Sequence, residues 1–553
     1  MHNMVHVPNE IWYLIAEYLQ DEDVKRLRGL NRVFFELAMS LRYHRLDFEG
    51  APWVPFMISP LIQHIKSRYV ARHVHDLYID PNHIAYLVAL QEQFDALTSH
   101  RGLRGKLGRI KAHSQYLIMQ KLPKYLQSRL IGRSLPWTIE KTRGYAKVSR
   151  ELDEVLPSLY NLRRCVVGWL TEAVQPSPHK MSFRWPMTLG VLRDLRIVNP
   201  PSYIHKLWFA IGPTLEELHL CITPTRLPHI LGTAPYLFNR LRKFSLMMFK
   251  YSNGQFQPHD QGSLSSSAAS SYLSIIYRFI NCNRASLLSL VIQDWPHLNL
   301  ATLFSHLEHI PYLQELRLHI PFDRHHLADA ASLARFLADH SNTLSSLALH
   351  YVQCSAFCSI PLAGLDMHDE QLEQILGHTE FPSLCSLDLS LMGVTEISQM
   401  LRQIQHLCHP RLESLELATY CMDIHELQLL CSSFAGMPDP PLRRLYIYIL
   451  NLRKAELDLL ARSFPSLDSL HLLSIVVNED FPAETLQASL EQGDADYTEW
   501  KLRDLTIEDL LGDEDVGFEA MQALAGYVPT VSSFYGQGNM EKCALPQRHH
   551  WDF

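Results

Sequence analysis

The sequence predicts an α/β repeat protein: a short N-terminal helical hook followed by an irregular stack of strand–helix units with a curved parallel sheet. Three observations predict it. A chain of 553 residues is too long for one ordinary hydrophobic core, so burial has to be divided among domains or repeats. A six-residue pattern, L-x-x-L-x-L, recurs along most of the chain. Between its copies lie stretches with apolar residues spaced by three and four, as in a helix.

The hook comes first. Residues 7–48 carry apolar side chains at helical spacing, broken once by the polar segment 20–23, which predicts two or three short helices. Pro8 suits a helix start, because its missing N–H falls among the unpaired amides of the first turn. Ile11, Leu14, Ile15 and Tyr18 then form one stripe, and Val24, Leu27 and Leu30 form another behind a cap at Asp21 or Asp23. A segment this short cannot bury that much apolar surface within itself, so it needs a partner or the rest of the chain.

The copies of the pattern follow. Strong ones occupy 192–197 (LRDLRI), 215–220, 313–318 (LQELRL), 344–349, 384–389, 412–417, 442–447 (LRRLYI), 467–472 and 502–507. Weaker ones start at Val74, Leu162, Leu241, Leu287 and Val531. Starts at 384, 412, 442 and 467 are 28, 30 and 25 residues apart, and the helical stretches 425–434 and 455–464 fall between them. In a strand the fourth and sixth positions point together towards the helices while their neighbours face outward. One unit cannot bury that face alone, so copies must stack.

Read this way, the outward positions are Arg196, His219, Ser245, Val291, Arg317, Ala348, Asp388, Glu416, Tyr446, His471 and Thr506, with His319, His350 and Tyr448 two residues along their strands. Aromatic and arginine side chains supply much of the energy of protein interfaces. Arg317, His319, Asp388, Glu416, Arg444, Tyr446, Tyr448 and His471 are therefore the candidate substrate-binding residues.

These motifs carry two family resemblances. The repeats resemble the leucine-rich-repeat family, which implies a curved parallel sheet with one open face. Thr223, Pro321, Met392 and Tyr420 stand where that family commonly has asparagine, so its buried asparagine ladder is not implied here. The hook resembles the F-box. Val7-Pro8 with Glu10 matches the opening Leu-Pro-x-Glu, Ile15, Leu19, Val24, Leu27 and Leu30 follow the family's spacing, and Asn31 with Phe34 and Phe35 stands where the family has a cysteine or asparagine followed by an aromatic.

The F-box resemblance implies that Val7, Pro8, Glu10, Ile11, Ile15, Leu19, Val24, Leu27, Leu30 and Phe35 dock on the Skp-family adaptor of a cullin-RING ubiquitin ligase. The repeats would then present a protein substrate for ubiquitin transfer. The implied layout is an F-box at 1–48, a linker with the first weak repeat and a basic helical insertion at 49–160, a leucine-rich-repeat solenoid at 161–536 and a tail at 537–553. Two other readings stay open: a repeat scaffold whose hook is a cap, and an RNA-associated protein. The last would use 96–139, where nine Lys and Arg side chains from Arg101 to Arg133 occur without one acidic residue. A solvated helix face is the simpler reading of that segment.

Composition bounds the rest. A net charge of −8 argues against a surface built throughout for nucleic acid or anionic membrane. No secretory signal and no apolar run of about 18 residues is present, so a cytoplasmic or nuclear location is expected. The ten cysteines lack framework spacing. Neither Cys354 with Cys358 nor His406, Cys408 and His409 has a second half at zinc spacing, so no metal or cofactor is expected. Gly102, Gly105 and Gly108 lack the context of a nucleotide loop, and no nucleophile elbow, H-E-x-x-H or kinase signature occurs, so catalysis is not expected. Residues 251–272 read as a Gly, Ser and Gln-rich surface loop.

Overall fold

A computed structural model describes residues 7–48, 62–79, 151, 154–169, 208, 211–222, 224, 227–232, 238–248, 266–294, 298–320, 327, 329–351, 369–377, 379–390, 400, 401, 404, 407, 411–435, 440–476, 497–509 and 514–538. They fall into two compact units, Met1–Gln257 and Pro258–Phe553. The basic insertion, the 192–197 copy with Arg196, Thr223, Pro321 and Met392 at three of the asparagine positions, and the Cys354 and His406 groups lie outside the described residues, whereas Tyr420 falls within a described strand.

The first unit opens with α1 (Asn9–Glu17), α2 (Asp21–Arg26) and α3 (Arg32–Tyr43). It continues through β1 (Arg45–Phe48), α4 (Arg68–Ala71), β2 (Asp76–Ile79), β3 (Arg164–Trp169), β4 (Glu217–Ile222), α5 (Leu227–Leu231) and β5 (Lys243–Met248). Its five strands pair in parallel in chain order. Strand pairing therefore begins at Arg45, upstream of residue 161 where the sequence reading opens the solenoid. The backbone N–H groups of His75 and Asp76 both donate to the His44 carbonyl at 2.9 Å, so α3 runs directly into the sheet.

The second unit holds α6 (Ser266–Asn283), β6 (Ser289–Asp294), α7 (Leu300–His306), β7 (Glu315–Ile320), α8 (Ala330–His340), β8 (Ser346–Tyr351), α9 (Asp369–Leu376) and β9 (Ser386–Ser390). Then come β10 (Ser414–Met422), α10 (Ile424–Ser432), β11 (Arg444–Asn451), α11 (Lys454–Ser463), β12 (Ser469–Val476), β13 (Asp504–Asp509), α12 (Glu514–Ala525) and β14 (Ser533–Phe534). These strands also pair in parallel in chain order, in an open sheet. Parallel neighbours need crossovers, and the helices between strands are those crossovers. Each unit is a leucine-rich-repeat stack.

The leucines explain the stacking. In LQELRL, Leu313, Leu316 and Leu318 are all fully buried, as are Leu384, Leu387 and Leu389 and their counterparts in the neighbouring copies. Each such side chain contributes about 1.5–3 kcal/mol relative to exposure. The weak copies form the same element: Val74, Leu162, Leu241, Leu287 and Val531 are buried and lead into β2, β3, β5, β6 and β14.

A turn recurs ahead of several strands. The N–H of the first motif residue donates to the carbonyl three residues earlier, as in Leu241 to Phe238, Leu313 to Ile310, Leu384 to Phe381 and Leu467 to Phe464, all at 3.1–3.2 Å. The residue at that earlier position is buried and apolar in these four, and two of the aromatic ones meet another buried ring: Phe238 lies 5.6 Å from Trp208 and Phe464 5.3 Å from Phe434. This apolar column lies at the position the sequence reading passed over.

Three expectations are corrected. The N-cap of α2 is Gln20, without a side-chain bond, so Asp21 and Asp23 lie inside the first turn, where their charge favours the helix dipole. The loop expected through Tyr272 ends at Ser266, because Leu273, Ile276, Phe279 and Ile280 form a buried helical stripe that extends α6 backwards. Finally, His219, Ser245, Val291, Ala348 and Thr506 are buried although their positions lie on the face away from the leucines. Strands about 4.8 Å apart bring equivalent side chains into contact, so a small side chain in the row is covered by larger neighbours. Ala348 lies in register between Arg317 and Asp388 in this way.

Candidate functional site

Two surfaces gather the candidate residues, one in each unit. In the first, α1 buries none of its residues. Ile11, Leu14 and Ile15 are 40–52% exposed and Tyr18 is 89% exposed, so the stripe predicted by the i, i+3, i+4, i+7 spacing stands open to solvent. The edge-to-face contact of Trp12 with Phe34, at 5.9 Å, ties α1 to α3. Asn31 caps α3 by accepting from the Phe34 N–H at 3.0 Å, and Val33, Phe34 and Ala38 form its buried side. Leu30 and Phe35 are exposed as well. Exposed apolar side chains grouped on one helix stripe are the chemistry of an interaction surface.

Of the adaptor-docking candidates, Pro8, Glu10, Ile11, Ile15, Leu30 and Phe35 are exposed, and Val7, Leu19 and Leu27 are half-buried. Val24 is 4% exposed and belongs to the core between α2 and α3, so it cannot meet a partner directly. Leu14, Tyr13, Tyr18 and Leu41 are exposed members of the hook that the candidate set missed. Two of them, Leu14 and Tyr18, were legible as part of the α1 stripe.

Polar contacts tie this hook to the first strands. Glu36 on α3 pairs closely with Arg72 and lies 3.3 Å from His73 Nε2, whose Nδ1 lies 2.9 Å from Ser40 Oγ. Phe35 stacks on Tyr69 at 5.9 Å, and the Arg72 guanidinium sits 4.2 Å from the same ring. Burial pushes the Glu36 carboxyl up, but Arg72, Tyr69 and His73 outweigh it and hold the group below the ordinary carboxylate range. Burial, reinforced by the Arg72 charge, lowers His73.

In the second unit the register gathers the substrate candidates. Asp388, Glu416, Tyr446 and His471 occupy one row across β9, β10, β11 and β12. Arg444 and Tyr448 lie two residues before and after Tyr446 on β11. Tyr446 and His471 stack at 4.0 Å with an interplanar angle of 12°. His471 Nε2 lies 2.7 Å from Glu508 Oε1. Burial and then Cys421 raise the Tyr448 phenol above its usual range.

Arg317 and His319 stand further along the sheet, on β7. Arg317 Nε donates to Glu315 Oε1 at 2.5 Å. His319 is in register with His350, ring centres 4.2 Å apart, and His350 pairs closely with Asp388, which also accepts from Ser390 Oγ at 3.0 Å. Burial, His350 and Arg317 together lower His319 to about 3, so it is neutral at physiological pH. The fully buried Cys165 thiol is raised by desolvation, which suits a core residue rather than a nucleophile. Among the described residues no group of three or more His, Cys, Asp or Glu side chains could hold a metal ion, and no helix is long and apolar enough to cross a membrane.

No protein-family model and no curated protein matches this chain. Among solved structures it is similar to an internalin (inlF) from Listeria monocytogenes, at 15% identity and a TM-score of 0.27, over 70% of this chain and 88% of that one. It is also similar to the Rad7 and Elc1 complex in yeast, at 14% identity and a TM-score of 0.32, over 80% of this chain and 92% of that one.

Proposed function

We propose that this chain is a non-catalytic substrate-recognition subunit of an SCF-type E3 ubiquitin ligase, acting in the cytoplasm or nucleus. The hook docks on the Skp-family adaptor, and through it on the cullin-RING ligase, while the open sheet of the repeats holds a protein substrate. The chain supplies proximity and orientation, and transfer chemistry belongs to its partners. The observation that carries this reading is the uncovered stripe Ile11, Leu14, Ile15 and Tyr18 on a helix that buries no side chain, in a segment whose motif resembles the F-box. A hook serving only to cap the repeat stack would turn that stripe inward.

The test is co-purification of the intact chain with the Skp-family adaptor, beside Leu14→Asp combined with Ile15→Asp. Both positions are exposed, so the variant leaves the core intact, whereas deletion of 1–48 would also remove β1 from the sheet. Binding by the intact chain that is lost in the double variant supports the docking role. No binding by the intact, folded chain overturns it and favours the scaffold.

A further inference from the structure

We infer that the groove between α2 and α3 binds a protein segment in which carboxylates flank apolar side chains. None of the α1 stripe lines this groove, so the inference stands apart from the adaptor reading and gives the hook a second docking face. The groove is a cavity of about 420 Å³. Its volume lies within the roughly 300–1,000 Å³ of ordinary binding clefts.

Helix α3 builds the floor. Phe35, Ala38 and Met39 fall at i, i+3 and i+4, which puts them on one helix stripe, and Leu41 follows Ala38 at the next i+3 step. Phe35 and Leu41 are 41% and 39% exposed, so an apolar side chain seated here would remove further apolar surface from water. The Tyr69 ring stacked on Phe35 supports that wall without covering it.

The rim is cationic. Lys25 from α2, Arg28 from the turn after it and Arg42 from the last turn of α3 line the same cavity, and among the described residues no carboxylate does. Lys25 is already paired with Glu22 at 2.7 Å, as Arg26 is with Asp23 at 3.3 Å and Arg72 with Glu36. Arg28 and Arg42 have no carboxylate partner among the described residues, and Arg42 lies 5.4 Å from the centre of the Tyr43 ring. A guanidinium matches a carboxylate with two parallel hydrogen bonds. Charge complementarity therefore selects an acidic occupant, and the floor selects one that also carries apolar side chains. An amphipathic helix laid in a groove meets both demands. A nucleic-acid backbone would satisfy the rim and leave the floor unfilled.

Fluorescence anisotropy of a labelled Gly–Leu–Glu repeat peptide with the full chain tests this, beside Gly–Leu–Lys and Gly–Ser–Glu peptides of equal length. The Gly–Leu–Glu peptide is expected to bind at least about tenfold more tightly than either, and to lose about tenfold in Arg28→Gln with Arg42→Gln or in Leu41→Ser. Added salt weakens its binding. Arg335→Gln with Lys501→Gln, which removes two exposed cations elsewhere, leaves binding unchanged. Reversal by Arg28→Glu with Arg42→Glu, confirmed as folded by its unfolding transition, shifts preference towards Gly–Leu–Lys. Equal binding of the three peptides, equal loss from the two neutralised pairs, or tighter binding of a single-stranded oligonucleotide of equal charge overturns the assignment. The Leu14→Asp, Ile15→Asp variant retains peptide binding, so failure of adaptor docking and failure of this inference are read separately.

Discussion

The sheet faces of the two units treat charge differently. In the first, one row across β1–β5 reads Arg45, Asp76, Arg164, Glu217 and Lys243, so cation and carboxylate alternate from strand to strand. Arg164 lies 3.4 Å from Glu217, and the His219 hydrogen bond first, then Arg164 and Lys243, hold the Glu217 carboxyl below its usual range against the effect of burial. In the second unit the equivalent row reads Ser289, Glu315, Ser346, Ser386, Ser414, Arg444, Ser469, Asp504 and Ser533, so serines separate its charged side chains. Cross-strand neighbours interact directly, so the first row pairs opposite charges, whereas in the second serine hydroxyls donate to the carboxylates beside them, as Ser289 does to Glu315 at 2.6 Å and Ser533 to Asp504 at 2.7 Å. The same leucine scaffold thus supports one row that alternates charge and one that spaces its charges with serine.

The largest expected effect tests the shared scaffold. Leu218→Ala in β4 and Leu387→Ala in β9 each remove a fully buried motif leucine and should each cost about 2–5 kcal/mol, read by denaturant unfolding. A small loss in one unit alone would show that its strands are not held by the same packing.

Acid sensitivity should separate the faces next. The folded-state value of His319, about 3, lies below its unfolded value near 6.5, so the unfolded chain binds more protons between them. The associated stability is complete above about pH 6.5 and declines as pH falls towards about 3. His319→Asn should flatten this part of the pH dependence of unfolding, whereas an unchanged slope would assign the sensitivity elsewhere.

The smallest effects concern the rows themselves. Glu217→Gln should cost up to about 1 kcal/mol, and less at high salt, because it breaks the alternating ladder at a partly exposed site. Ser346→Ala should stay within about 0.5 kcal/mol and show no salt dependence. Thermal unfolding at two ionic strengths distinguishes them, and equal salt dependence would erase the contrast between the units.

Much of this was legible in the sequence, for a physical reason. Strand alternation and helical spacing are local periodicities, so the motif leucines, the helices after β10 and β11, and the α1 stripe could be read from residue order alone. The weak copies beginning at Val74 and Leu287 form strands like the strong ones because burial asks for an apolar side chain and not for leucine in particular. The register that gathers Asp388, Glu416, Tyr446 and His471 also follows from aligning the motifs.

Tertiary structure decided which of those side chains remain available. Val24 and Leu30 belong to one sequence stripe, yet Val24 is sealed between helices and Leu30 is 58% exposed, because packing against α3 reaches only one of them. Ala348 and Arg317 occupy equivalent motif positions, and only the longer side chain emerges from the row. The pairing of Glu36 with Arg72 and His73, and of His350 with Asp388, joins residues 36 to 38 positions apart in sequence. Periodicity determines which way a side chain leaves its own backbone, but exposure and charge depend on neighbours that only the stacked chain brings alongside.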